Sequence, residues 1–174
     1  MGKLAKYLTA GSLALVGVGI GVGIFATVGF NVAMEKTSSN EFCISCHEMA
    51  ANPWQESLSK AHAQSRVGFT VTCADCHIPQ AFIPKMKRKM AASREVWHHF
   101  LGTIDSPEKY DLHRQKMAES VWQVMRENDS AACRVCHEAT KIGSTAAINA
   151  MHQQALGPGT TCITCHKGIA HDLP

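Results

Sequence analysis

The chain begins with an uninterrupted apolar run. From Leu8 to Phe30 no position carries a charge, and Leu, Val, Ile, Gly and Ala fill most of it. A helix rises about 1.5 Å per residue, so the run spans the roughly 30 Å hydrocarbon layer with slight tilt. Gly17, Gly19, Gly21 and Gly23 would weaken a helix in water but offer a smooth packing face in lipid. The apolar core of a secretory signal is about 7–15 residues, shorter than this one, so the pattern predicts a retained anchor over residues 8–30. Lys3 and Lys6 precede the run and no basic cluster follows at once. This orientation keeps residues 1–7 in the cytoplasm and exports residues 31–174.

Beyond the anchor, apolar positions recur at helical spacing and few stretches alternate as a strand would. Pro53 is placed to open a helical turn leading through Trp54, Leu58 and Ala61 to His62. Pro79 and Pro84 interrupt the next region. A helix is expected from Lys85 to Leu101, and a longer one from Pro107 to Arg126. The longer helix carries Leu112, Met117, Val121, Trp122 and Met125 as its buried stripe. Gly157-Pro158-Gly159 marks a turn. The expected fold is mainly α: one N-terminal transmembrane helix and a compact domain with little β structure.

Eight cysteines change this picture. They fall as Cys43-Ile-Ser-Cys46-His47, Cys73-Ala-Asp-Cys76-His77, Cys133-Arg-Val-Cys136-His137 and Cys162-Ile-Thr-Cys165-His166, with none left over. Two thiols three residues apart can form thioethers with the two vinyl groups of one haem, and the next imidazole then lies under the iron. Zinc sites need paired C-x2-C clusters or two distant histidines, and would leave the strict fifth-position histidine unexplained. The pattern therefore predicts four covalently bound haem c groups. Motif histidines are separated by 30, 60 and 29 residues, which divides the domain into two similar halves. So little protein per haem implies that apolar side chains mostly line macrocycles. A net charge of +3 gives no ground for a nucleic-acid partner.

Each six-coordinate iron needs a second ligand, which raises the standing of the histidines outside the motifs. His62, His152 and His171 lie near a motif in sequence. Of His98 and His99, only one can face a given porphyrin. His113 sits in a charged segment and is a weaker candidate. Met49, two residues past His47, offers a soft thioether that can replace an imidazole on one haem, although methionine also fills gaps. The run Lys85-Met86-Lys87-Arg88-Lys89-Met90 is either a headgroup-binding surface or a solvated charged face.

The combined pattern resembles the NapC/NirT-type membrane-anchored tetrahaem cytochromes, which include the small subunit of the periplasmic nitrite reductase complex. The matching residues are Glu41-Phe42 before Cys43-Ile-Ser-Cys46-His47-Glu48-Met49, Val71-Thr72 through Ile78-Pro79, Glu95-Val96-Trp97-His98-His99, Gly102-Thr103-Ile104 and Cys162 through His171. The branch serving periplasmic nitrate reductase is the most similar. This resemblance implies a quinol dehydrogenase of the bacterial inner membrane with its haem domain in the periplasm. It would oxidise menaquinol or ubiquinol at the edge of the first haem and pass electrons to a periplasmic terminal reductase or that enzyme's dihaem acceptor subunit. Nitrate reductase is the first expectation, with nitrite reductase or a multi-partner hub as alternatives. The resemblance also implies that Met49 replaces His47 on the first iron, with His77, His137 and His166 as proximal ligands. Distal ligands would come from His62, His98 or His99, His152 and His171. Lys89 and Glu95 would bind the quinol and accept its protons, although the family carries aspartate where Glu95 stands. A homo-oligomer is compatible with this reading. Rival readings are a pure shuttle without quinol chemistry, a multihaem terminal reductase and a structural or sensory haem protein.

Overall fold

The computed structural model describes residues 10–64, 68–138, 145–155, 157 and 159–174. Lys3, Lys6, Leu8 and Pro158 lie outside the described residues. The chain divides into two units, Met1–Ser38 and Ser39–Pro174. The described part of the first is one helix, α1 (Ala10–Lys36), whose stretch Gly11–Lys36 has a mean hydropathy of 2.2. It is long and apolar enough to cross a membrane, and it continues past Phe30 to a polar end at Glu35 and Lys36. Side chains on α1 bond back four residues, Thr27 Oγ1 to the Gly23 carbonyl at 2.8 Å and Asn31 Nδ2 to the Thr27 carbonyl at 2.8 Å. Such bonds satisfy polar groups without water, as a lipid-embedded helix requires.

The regular structure of the second unit is all helical, with no strand among its described residues. Its helices are α2 (Asn40–Cys43), α3 (His47–Met49), α4 (Gln55–Leu58), α5 (Cys73–His77), α6 (Phe82–Phe100), α7 (Pro107–Glu127), α8 (Ala131–Arg134), α9 (Ala146–Ala155) and α10 (Cys162–Cys165). A widened π-helical turn, Ala50–Trp54, joins α3 to α4 and contains Pro53. Pro53 is thus inside a helical segment, and regular helix ends at Leu58 in turns instead of reaching His62. Helix α6 starts earlier than Lys85 because Pro84 occupies its first turn, where a missing N–H costs no intrahelical bond. Ser106 caps α7, accepting a bond from Lys109 N at 3.3 Å, with Pro107 in the first turn.

Met117, Val121, Trp122 and Met125 are half-buried, but Leu112 is 82 % exposed. At roughly 100° per residue Leu112 falls on the side of α7 opposite the other four, so it was never part of one stripe. Only Ile163 and Pro53 are buried apolar side chains among the described residues of this unit. Polar ties between distant segments do much of the joining. Asn52 Nδ2 donates to the Pro107 carbonyl and to Asp111 Oδ1, each at 3.1 Å, and Lys167 Nζ lies 4.7 Å from the centre of the Trp122 ring.

The two halves repeat in structure. Thr72 and Thr161 each precede the first cysteine of the second motif in their half, and each forms a capping box with the residue three positions on, Asp75 or Thr164. Each of these motifs is also tied to the other motif of its half by a side chain 33 residues earlier. Asn40 Oδ1 accepts from Cys73 N at 2.9 Å, and Ser130 Oγ accepts from Ile163 N at 3.1 Å. Asn40 and Ser130 both stand three residues before the first cysteine of their own motif.

Ser130 is fully buried and holds a left-handed backbone (φ 50°), as does Asp129 (φ 55°). Replacing Ser130 with Ala leaves the buried Ile163 N–H without an acceptor. We expect a loss of about 1–3 kcal/mol, read as a lowered denaturation midpoint of the intact protein.

Candidate metal centres

In the second and fourth motifs one helical turn, α5 or α10, brings both sulfurs to one side. In the first and third the helix ends at Cys43 or Arg134, and a turn leads to the second cysteine. All eight cysteines are free thiols in the structure, with Cys136 and Cys165 exposed and the rest half-buried. Their interactions follow chain order. Cys43 of the first motif hydrogen bonds to Cys73 of the second. Cys76 lies within electrostatic reach of Cys133 and Cys136 of the third, and Cys133 interacts with Cys162 of the fourth. The four motifs therefore form a linear series of neighbours.

Every motif histidine faces a second histidine. His47 and His99 have ring centres 6.1 Å apart, His62 and His137 6.0 Å, His77 and His171 6.1 Å, and His152 and His166 6.1 Å. Metal–nitrogen bonds of roughly 2 Å on opposite sides of one metal put two imidazole centres roughly 6 Å apart. Tautomers agree with that use. His171 Nδ1 donates to the Pro53 carbonyl at 3.1 Å, His152 Nδ1 to the Ile148 carbonyl at 3.0 Å, and His99 Nδ1 to Glu48 Oε1 at 2.8 Å. These partners only accept, so each Nδ1 carries the proton and each Nε2 keeps its lone pair for a metal. Burial, then the charges of His171 and Arg88, pulls His77 down to about 4, so it is neutral at pH 7.

The geometry separates residues that sequence reasoning left together. His99 joins a pair while His98, its neighbour on α6, is exposed. His113 donates to the Lys109 carbonyl at 2.9 Å. Met49 is exposed at the end of α3. Lys89 lies near Cys43, and burial pulls its ammonium below the ordinary range, opposed by Cys43 and aided by Lys85 and Arg88. Glu95 is held by Arg88 through two bonds of 2.9 and 3.1 Å, within electrostatic reach of His77. Lys89 and Glu95 thus belong to different faces of α6 and to different motifs.

Two features had no sequence signal of their own. One is the charge cluster around the C-terminal segment: Glu56 Oε2 accepts from Arg114 at 2.6 Å and from Asp172 N at 3.0 Å, and Arg114 also donates to the Asp172 carbonyl at 2.8 Å. It anchors the residue next to His171. The other is Glu48, 3 % exposed between two histidines of one pair. Its place directly after a motif histidine was the available clue.

A membrane-length helix followed by a series of C-x-x-C-H motifs with facing histidines defines a membrane-anchored c-type cytochrome. The chain belongs to the NapC/NirT cytochrome c family, matching its N-terminal region over residues 5–174. It is 46 % identical over 170 residues to the cytochrome c-type protein NapC of Escherichia coli K12, covering 96 % of this chain and 84 % of that one. It is 44 % identical over 160 residues to the denitrification system component NirT of Stutzerimonas stutzeri, covering 90 % and 80 %. Identity to the cytochrome c-type protein TorY of Haemophilus influenzae is 42 % over 177 residues, covering all of this chain and 46 % of that longer one. No solved structure matches the chain. The protein is a single-pass component of the inner membrane with its cytochrome domain in the periplasm.

Replacing Glu56 with Gln removes the charge that holds Arg114 and the Asp172 backbone. We expect about 1–3 kcal/mol of destabilisation and faster amide exchange at Asp172, measured by hydrogen–deuterium exchange.

Proposed function

We propose that the protein is a quinol dehydrogenase carrying four haem c groups, which moves electrons from membrane quinol to a periplasmic reductase. The observation that carries this is the fourfold recurrence of facing imidazoles at 6.0–6.1 Å beside C-x-x-C-H motifs. The residues fit the group. Thiols flank each site, the Nε2 lone pairs of three distal imidazoles are fixed toward a metal, and a unit with so few buried apolar side chains gains a core from four macrocycles.

When bound, each haem supplies one-electron redox chemistry. The cysteines fix each group by thioethers, Cys43 with Cys46, Cys73 with Cys76, Cys133 with Cys136 and Cys162 with Cys165. His77, His137 and His166 would ligate the groups of their own motifs, each together with the histidine it faces, His171, His62 and His152 respectively. At the first motif we assign His47 and His99, because their spacing equals that of the other pairs. Met49 is the second candidate for the proximal position, on the family resemblance. The linear order of the motifs makes the chain itself a route from the first site to the fourth.

Quinol oxidation gives quinone, two protons and two electrons, so the site needs a donor to hold an oxygen and an acceptor for the protons. Lys89, beside the first motif, is assigned the first task, with its ammonium as the hydrogen-bond donor. Glu95, on another face of α6 beside the second motif, is assigned the second, as a relay that takes up the protons after they leave the quinol. Arg88 orients its carboxylate. Residues 8–30 would hold the protein in the membrane, and the basic start of α6 would rest on headgroups. Nitrate reductase, through a dihaem subunit, is the partner we place first. Likeness to NirT supports nitrite reduction as the second reading.

Intact mass of the purified protein should exceed that of the polypeptide by four haems. Mixing it in detergent with menaquinol or ubiquinol analogues should reduce the haems in a stopped-flow trace. No reduction by either quinol, with haems intact, refutes the dehydrogenase reading. Lys89→Ala should slow that reduction about 10-fold or more at unchanged haem content. Met49→Leu should leave the low-spin spectrum intact, and loss of one low-spin signal would assign Met49 instead of His47.

A further inference from the structure

The four histidine pairs differ in what stands behind the non-motif ring. At His171 and His152 the Nδ1 proton goes to backbone carbonyls, of Pro53 and Ile148. At His62 the Nδ1 atom is buried and has no hydrogen-bond partner. At His99 it goes to Glu48, a carboxylate 3 % exposed, at 2.8 Å. The second oxygen of Glu48 is also buried, without a hydrogen bond, and 3.7 Å from His47 Nδ1. A carboxylate is costly to bury unless the site uses it.

We propose that Glu48 is a positioning residue that acts through His99: it locks the imidazole with Nε2 toward the first-motif haem and makes it a stronger donor than the other distal histidines. The reading rests on the haem-ligand assignment above. A carboxylate behind a metal-bound imidazole fixes its tautomer and orientation and raises its basicity. A stronger donor favours the ferric over the ferrous form and lowers the potential of that haem. Nδ1 partners would then grade the four sites, from carboxylate at His99, through carbonyls at His171 and His152, to none at His62. The site nearest Lys89 receives the strongest donor. Neither the motif spacing nor the family resemblance assigns Glu48 this role.

The test uses the full-length holoprotein in detergent, with potentiometric titration followed by absorbance and low-temperature electron paramagnetic resonance. Glu48→Gln keeps an oxygen that accepts from His99 but removes the charge. It should leave four low-spin haems and raise one midpoint potential, the other three staying put. Glu48→Asp should restore that potential at least in part. Glu48→Ala frees the ring and should convert one haem partly to a high-spin form. In a His99→Ala background, Glu48→Gln should no longer move any potential selectively. The proposal is overturned if Glu48→Gln leaves all four potentials unchanged, or if its shift persists without His99. If Glu48→Ala does not assemble, the Gln and Asp variants still decide the matter. A haem count below four in the unaltered protein, by pyridine haemochrome assay, overturns the ligand reading itself.

Discussion

The second unit depends on pairing imidazoles across about 6 Å between segments that are far apart in sequence. His62 reaches from the first half to His137 in the second, and His171 reaches back from the second half to His77 in the first. His99 returns to His47, and His152 goes forward to His166. Each pair closes a loop, and closing several interlocked loops costs chain entropy that the protein's own core does not offset. On the proposed function, thioether and metal bonds at each motif would offset that cost. Only two apolar side chains are buried among the described residues of this unit.

The polar ties make sense in that setting. Asn40 to Cys73 and Ser130 to Ile163 fix the spacing of the motifs within a half and so hold the cysteines in register. Glu56 and Arg114 do the same for the C-terminal segment, holding Asp172 so that His171 faces His77. Repetition of the 33-residue ties points to a duplicated unit, while ligand use breaks the repeat. His62 and His152 both stand 15 residues after the first motif histidine of their half. His62 nevertheless crosses to the other half, whereas His152 stays within its own.

Much of this was legible in the residues. The anchor, the motifs and helices α6 and α7 follow from charge-free length, cysteine spacing and helical periodicity, because each is set by neighbours within a few turns. Pairing was not legible, since nothing local to His62 says which of four motifs it will meet. The choice between His98 and His99 turned on a rotation of 100° about α6, smaller than the uncertainty in placing a helix by pattern alone. Leu112 failed for the same reason in reverse: its spacing from Met117 looks helical in a list but lands on the far side of α7. The resemblance implies a shared role for Lys89 and Glu95, but the seven-residue spacing from Arg88 is the one that brings a cation to the Glu95 carboxylate.

Position along α6 links Lys89 to the first motif. Lys89 lies near Cys43, and His99, almost three turns later, faces His47 and is bonded to Glu48. One rigid helix therefore carries both the residue assigned to quinol and the ligand assigned to the first metal. A movement of α6 that altered one would alter the other. Arg88 and Glu95, one residue before Lys89 and six residues after it, pair on the same helix near His77 of the second motif. On the proposed function, an electron passing from the first site to the second would run alongside a single secondary-structure element. Its internal geometry is fixed by backbone hydrogen bonds rather than by flexible side chains, which suits a step that depends steeply on distance.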